Sequence, residues 1–215
     1  MPKISAQSRA RKIKLLLFDV DGVLTDGKLF IFPAPQGTPQ SVLDQPTREQ
    51  SAKHGGQGGF GLNSQSMIEA KGFHAHDGTG ISLARLAGIK TGLITKRISE
   101  TVALRARDLK LEYVRQGIHD KRTCFGDVVR EEGIELDEAA FVGDDVIDLP
   151  AMRAAGLSIA VQNARVEVKK EAHYVTPHAG GDGALRDAVE FILKAQGVWK
   201  KIVDEYIGER SSSVQ

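Results

Sequence analysis

Cysteine is all but missing from this chain. Cys124 is the single one among 215 residues, which excludes an internal disulfide. Its setting, KRTCFGDVV, reads as the inner face of a helix and not as a reactive thiol. Long apolar runs are missing too: no stretch approaches the ~20 residues that a bilayer-spanning helix needs. Nor is there an excess of one charge. The formal net charge is +1, so no global field points to nucleic acid or to an anionic membrane. The amino-terminal stretch MPKISAQSRARKIK is basic and acid-free, like a weak transit peptide, but no apolar segment of signal length follows it. The expectation is a soluble, cytoplasmic protein with no nucleic-acid or membrane partner.

What is present suits an α/β domain. With 41% hydrophobic residues in 215 the chain can bury a full core, and its length fits one domain, residues 1–215, better than two. The apolar run Ile13 to Phe18 reads as a strand buried on both faces. Lys28 to Phe32 and Ser66 to Phe73 read as two arms of a hairpin, an insertion over about 28–73. Between them, residues 33 to 65 carry four of the seven prolines and the cluster GGQGGFG, and read as a long mobile loop. A phosphate-binding glycine loop is rejected there, because no strand leads into it and no Gly-Lys-Ser/Thr opens a helix after it.

From residue 77 helices and strands alternate, as a parallel sheet requires. The pattern predicts a helix in GISLARLAG stopped by Gly88, a strand ending at Thr95, and a helix over Ser99 to Leu109. It then predicts a strand at Leu111 to Val114, a helix over Lys121 to Glu132 and the strand AAFVG. A helix at Leu149 to Ala155, the strand LSIAV and a last helix over Gly183 to Gln196, capped by Asp182, complete the series. The tail, about 208–215, reads as flexible.

Two of these strands end in acids. Asp19 and Asp21 follow Phe18, and Asp144, Asp145 and Asp148 follow Gly143. Strand ends at the carboxyl edge of an open α/β sheet are where ligands bind, although a polar turn or helix caps also place acids there. Five acids exceed what capping explains. Several carboxylates in one cleft repel unless a cation joins them, and an all-oxygen set suits Mg²⁺. Such a cleft fits phosphoryl transfer, with a free carboxylate as nucleophile. Thr95, at another strand end, offers a hydroxyl, and Lys121, opening a helix, offers a cation.

The motifs DVDGV, LIT with Thr95, Lys121 and GDDVID occur in the order seen in the haloacid dehalogenase superfamily of aspartate-nucleophile phosphatases, which the sequence resembles from residue 13 to about 197. The resemblance implies a three-layer Rossmann-like fold, a parallel sheet with helices on both faces and a β-hairpin insertion after the first strand. It makes Asp19 the nucleophile and Asp21 the general acid and base. Asp144 would ligate Mg²⁺ with Asp19 and the main-chain carbonyl of Asp21, while Asp145 and Asp148 would hold metal waters and Lys121. The stretches DGTGISLARLAGI, RQGIHDK, GDDVIDLPAMRAAG and GGDGALRDAVEFILKAQGVW resemble the small-cap subgroup of 3-deoxy-D-manno-octulosonate 8-phosphate phosphatases. That subgroup implies a sugar-acid phosphate substrate and a homotetramer whose hairpins help cover neighbouring sites. Two features depart from its pattern. Thr95-Lys96-Arg97 stands where the subgroup has Thr-Gly-Arg, and the hairpin tip is much longer.

Arg97 is a candidate two-point clamp for a substrate carboxylate, with Lys96 beside it and Asp77 at the site's rim. His74 and His76 have the His-x-His spacing of some zinc sites, yet His119, His173 and His178 show no companion pattern, so a zinc hydrolase is disfavoured. Competing functions are a phosphatase of another sugar phosphate or of a nonulosonate phosphate, a phosphomutase, and a non-catalytic assembly module.

Overall fold

The structure is a computed structural model describing residues 4–33 and 67–212. The stretch read as the long hairpin loop lies outside the described residues. Helix α1 (Ala6–Ala10) precedes strand β1 (Leu15–Phe18), whose four side chains are all fully buried. Burial of a leucine or phenylalanine contributes about 1.5–3 kcal/mol, which places LLLF at the centre of the sheet. After it come β2 (Phe30–Pro33), β3 (Met67–Ala70), α2 (Ala75–Leu86), β4 (Lys90–Ile94), α3 (Glu100–Asp108), β5 (Tyr113–Arg115), α4 (Lys121–Glu132) and β6 (Ala139–Gly143). The chain ends with α5 (Leu149–Ala154), β7 (Leu157–Ala160), α6 (Val166–Glu171), β8 (Tyr174–Val175), α7 (Ala184–Ala195) and α8 (Trp199–Ser212).

Among the described residues the main sheet has six strands in the order β5-β4-β1-β6-β7-β8, all parallel. Helices cover both of its faces: α1, α2, α7 and α8 pack together, and α4 packs on α5. This is the α/β arrangement expected from the alternation. Helix α7 buries Ala184, Leu185, Ala188, Val189, Ile192 and Leu193, one stripe at helical spacing, against α2. Gly80 permits that approach, since a Cβ there would lie 2.9 Å from Arg186 Cα. Strands β2 and β3 form a separate antiparallel hairpin in which Phe30 faces Ala70 and Pro33 faces Met67.

Four expectations need correction. The cap of α7 is Gly183, in a left-handed conformation, and not Asp182, whose carboxylate lies toward His74 at 3.8 Å. Residues 208–212, read as part of a flexible tail, continue helix α8. The strand expected at Leu111 to Val114 begins at Tyr113, because Leu111 N still donates back to Ala106 O of α3, and Glu112 makes the first bond toward the sheet, to Thr91 O. The helix at 183–196 is not the last, since α8 follows it, and α8, α1, α6 and strand β8 were not expected at all: α1, α6 and β8 have five, six and two residues, too few to show a period. No described helix is long and apolar enough to cross a membrane.

Candidate active site

Register builds the site. Phe18 of β1 lies opposite Leu93 of β4 on one side and Val142 of β6 on the other. All three strands stop within two residues of that line, so Asp19, Thr95 and Asp144 emerge side by side at the carboxyl edge. Asp19 is anchored by its own N–H, which donates to Val142 O at 3.0 Å. The turn after it, Val20–Leu24, passes Gly22 at φ +99°, and a Cβ there would stand 2.2 Å from Asp144 Oδ2. Only glycine satisfies both the backbone and the space.

Lys121 opens α4 behind its cap Asp120, whose carboxylate accepts from Thr123 N at 3.0 Å. The ammonium Nζ lies 2.7 Å from Asp19 Oδ1 and 2.6 Å from Asp148 Oδ1, with all three side chains almost wholly buried. The other oxygen of Asp148 accepts from the backbone N–H groups of Asp144 (3.0 Å) and Asp145 (3.3 Å), fixing the start of that loop. Burial would lower the Lys121 pKa, but the carboxylates of Asp19 and Asp148 hold it above the ordinary lysine value. Burial pushes Asp19 up to about 6, against the pull of Lys121. Asp144 rises further, to about 8, from burial and then from the negative charge of Asp19, Asp148 and Asp145.

One ammonium among three acids leaves an excess of negative charge. Asp19, Asp144 and Asp148 each offer an oxygen within 4.8 Å of the others, and Asp144 Oδ1 is buried with no hydrogen-bond partner among the described residues. An orphaned buried carboxylate oxygen in an all-oxygen cluster fits a hard divalent cation such as Mg²⁺. Of the five acids assigned to the metal, the structure brings these three together. The Asp145 side chain is instead exposed and accepts from Val146 N at 2.7 Å. The Asp21 carboxylate turns to Lys71 and to Arg97, whose Nε is 3.5 Å from Oδ2.

The remaining candidates divide. Thr95 is buried at the end of β4, its N–H bonded to Arg115 O and its carbonyl to Ile118 N. Lys96 follows it at the same sheet edge. Arg97 is already engaged, donating to Glu69 Oε2 at 3.0 Å. Asp77 is fully buried, accepts from Arg186 N at 3.0 Å, and its pKa is raised by burial, so it ties α2 to the start of α7. His74 caps α2 by accepting from His76 N at 3.3 Å. Burial raises the Cys124 thiol to about 11, consistent with an inert core residue.

Residues the sequence reading missed stand around the candidates. Glu69 of β3 and Lys71 just beyond it reach Arg97 and Asp21, and two charges at i and i+2 of an otherwise apolar arm were the available signal. Asn163 ties two loops together, accepting from Gly180 N at 2.7 Å, and nothing local marks it.

Residues 92–186 match the haloacid dehalogenase-like hydrolase family. The 3-deoxy-D-manno-octulosonate 8-phosphate phosphatase of Escherichia coli K12 is 34% identical over 190 residues, covering 88% of this chain and 84% of that one. The Haemophilus influenzae enzyme of the same name is 31% identical over 89% of this chain and 88% of its own. The crystal structure of the Moraxella catarrhalis phosphatase, in complex with magnesium, phosphate and a KDO molecule, superposes with a TM-score of 0.74. It is 32% identical in sequence over 94% of this chain and 97% of that one. With the acids, the lysine and the sheet in the arrangement described, the chain belongs to the haloacid dehalogenase-like hydrolases, within the phosphatase group of the 3-deoxy-D-manno-octulosonate 8-phosphate phosphatases.

Proposed function

We propose that the protein is a Mg²⁺-dependent phosphatase that hydrolyses 3-deoxy-D-manno-octulosonate 8-phosphate through an aspartyl phosphate. The observation that carries this reading is the buried group of Asp19, Lys121, Asp144 and Asp148 at the carboxyl edge of the sheet. Asp19, Asp144 and, through water, Asp148 would hold the ion. Bound there, Mg²⁺ neutralises phosphate oxygens. An Asp19 oxygen attacks phosphorus while the alkoxide leaves, taking a proton from Asp21. Water, deprotonated by Asp21, then attacks phosphorus and frees Asp19. Lys121 would hold Asp19 in line, and the Thr95 hydroxyl would donate to the phosphoryl group. A substrate carboxylate is the natural partner for positive charge at Lys96 and Arg97.

Self-association as a homotetramer, with residues 1–215 as one domain, is part of the same reading. Phe30, Ile31 and Phe32 on the hairpin remain 43–47% exposed, a cluster that a partner surface would cover.

A phosphate-release screen over sugar phosphates with Mg²⁺ tests the function. The expected result is highest kcat/KM for 3-deoxy-D-manno-octulosonate 8-phosphate, silence after EDTA treatment restored by Mg²⁺, and loss of several orders of magnitude in folded Asp19→Asn. Full activity in that variant would refute the nucleophile. A better substrate lacking a carboxylate would refute the sugar-acid assignment.

A further inference from the structure

We propose that Glu69 and Lys71, on the second arm of the hairpin, are positioning residues that hold Asp21 and Arg97 as one unit for the reaction. The inference rests on the phosphatase reading above. Positions 69 and 71 share a side of the extended chain, and both side chains turn inward: Lys71 is fully buried and Glu69 is 7% exposed. Lys71 Nζ pairs with Asp21 Oδ1 and lies 3.7 Å from Glu69 Oε1. Glu69 Oε2 accepts from Arg97 Nη2 at 3.0 Å, and Arg97 Nε closes the ring through charge alone, 3.5 Å from Asp21 Oδ2 and without a hydrogen bond among the described residues. Two acids and two bases thus alternate around a closed circuit.

The circuit is fastened to the start of helix α3. Ser99 Oγ donates to Glu69 Oε1 at 2.7 Å, and Thr101 Oγ1 donates to the Glu69 carbonyl at 3.3 Å. Asp21 must deliver a proton to the leaving oxygen and then accept one from water, so its carboxylate has to keep one orientation through both steps. Alone it does not: it is 21% exposed, and among the described residues these two cations are its side-chain partners. A misplacement of about 1 Å at a reacting group costs on the order of 100-fold in rate. Glu69 supplies the counter-charge that keeps two cations together at one acid, where they otherwise repel. The hairpin arm is therefore part of the active site of its own chain.

The test is a double-mutant cycle in kcat with a small aryl phosphate and Mg²⁺, a substrate that needs no sugar recognition. Lys71→Met is expected to lower kcat about 100-fold with KM within about threefold, and Lys71→Arg to recover at least a tenth of the wild-type rate. In an Asp21→Asn background the Lys71→Met loss is expected to vanish, because the group it positions is gone. Glu69→Ala should behave like Lys71→Met, and Glu69→Gln, which keeps acceptors for Ser99 and Arg97, should recover most of the rate. Thermal unfolding identifies any variant that fails to fold. If Lys71→Met is one, the Glu69→Ala cycle with Asp21→Asn decides. Multiplicative losses in the double variant, or a loss confined to KM, overturn the proposal. A wild type inactive on every ester overturns the phosphatase reading and the proposal with it, whereas an active wild type with multiplicative losses overturns the proposal alone.

Discussion

Lys121 Nζ and Asp148 Oδ1 are 2.6 Å apart, and neither side chain exposes more than 1% of its surface. The same ammonium reaches Asp19, so one cation neutralises two acids that are almost wholly buried.

Lys121→Met removes that cation and leaves both acids buried without a counter-charge. Breaking a buried pair costs about 3–5 kcal/mol. In EDTA the variant is expected to unfold at lower denaturant than the wild type, with the gap widening as pH rises through about 6 and Asp19 ionises. Equal unfolding midpoints at pH 7 would show that the ion pair does not contribute to stability. Phosphate release should fall by orders of magnitude in the same variant.

Asp144 sets a pH dependence. Its folded pKa, about 8, lies above the ordinary 3.8. Between those values the folded protein binds more protons at this group than the unfolded chain, so Asp144 makes the metal-free fold less stable as pH rises. Mg²⁺ requires the ionised carboxylate and so expels a proton near neutral pH, and its affinity should climb from pH 6 to pH 8. Calorimetric titration with Mg²⁺ in two buffers of different ionisation enthalpy checks this. Identical heats would show that no proton leaves, and Asp144→Asn should abolish any difference.

The hairpin predicts an assembly phenotype. Phe30 and Phe32 point to one side of β2, both more than 40% exposed. If they are covered between subunits, each contributes about 1.5–3 kcal/mol, so Phe32→Glu should weaken association at least tenfold. Light scattering across a dilution series reads it. An unchanged mass at every concentration would remove this face from the assembly.

The central strands and the acids at their ends were legible because burial on both faces leaves an unbroken apolar run and the break itself falls at the functional edge. Helix α4, expected over about Lys121 to Glu132, runs over those residues, because Asp120 caps its start and the left-handed Gly133 ends it. The Arg97 environment was not legible. Its partner Glu69 lies 28 residues earlier on an arm whose apolar content alone was informative, and long-range ion pairs leave no local period. For the same reason the five acids could not be sorted in sequence: Asp144 and Asp145 are neighbours, and only the loop held by Asp148 turns one inward and the other to solvent.

Pro33 and Met67 stand opposite each other across the hairpin, so the two arms meet at one fixed address whatever sequence joins them. The cost of closing a connection grows only logarithmically with its length, by about 0.6 kcal/mol per doubling. Descent or design can therefore change the number of residues that join the arms at little cost while the arms stay paired. Beyond Met67 the same arm carries Glu69 and Lys71, which reach Arg97 and Asp21. One arm thus serves both the connection and the site, and the two can change at different rates.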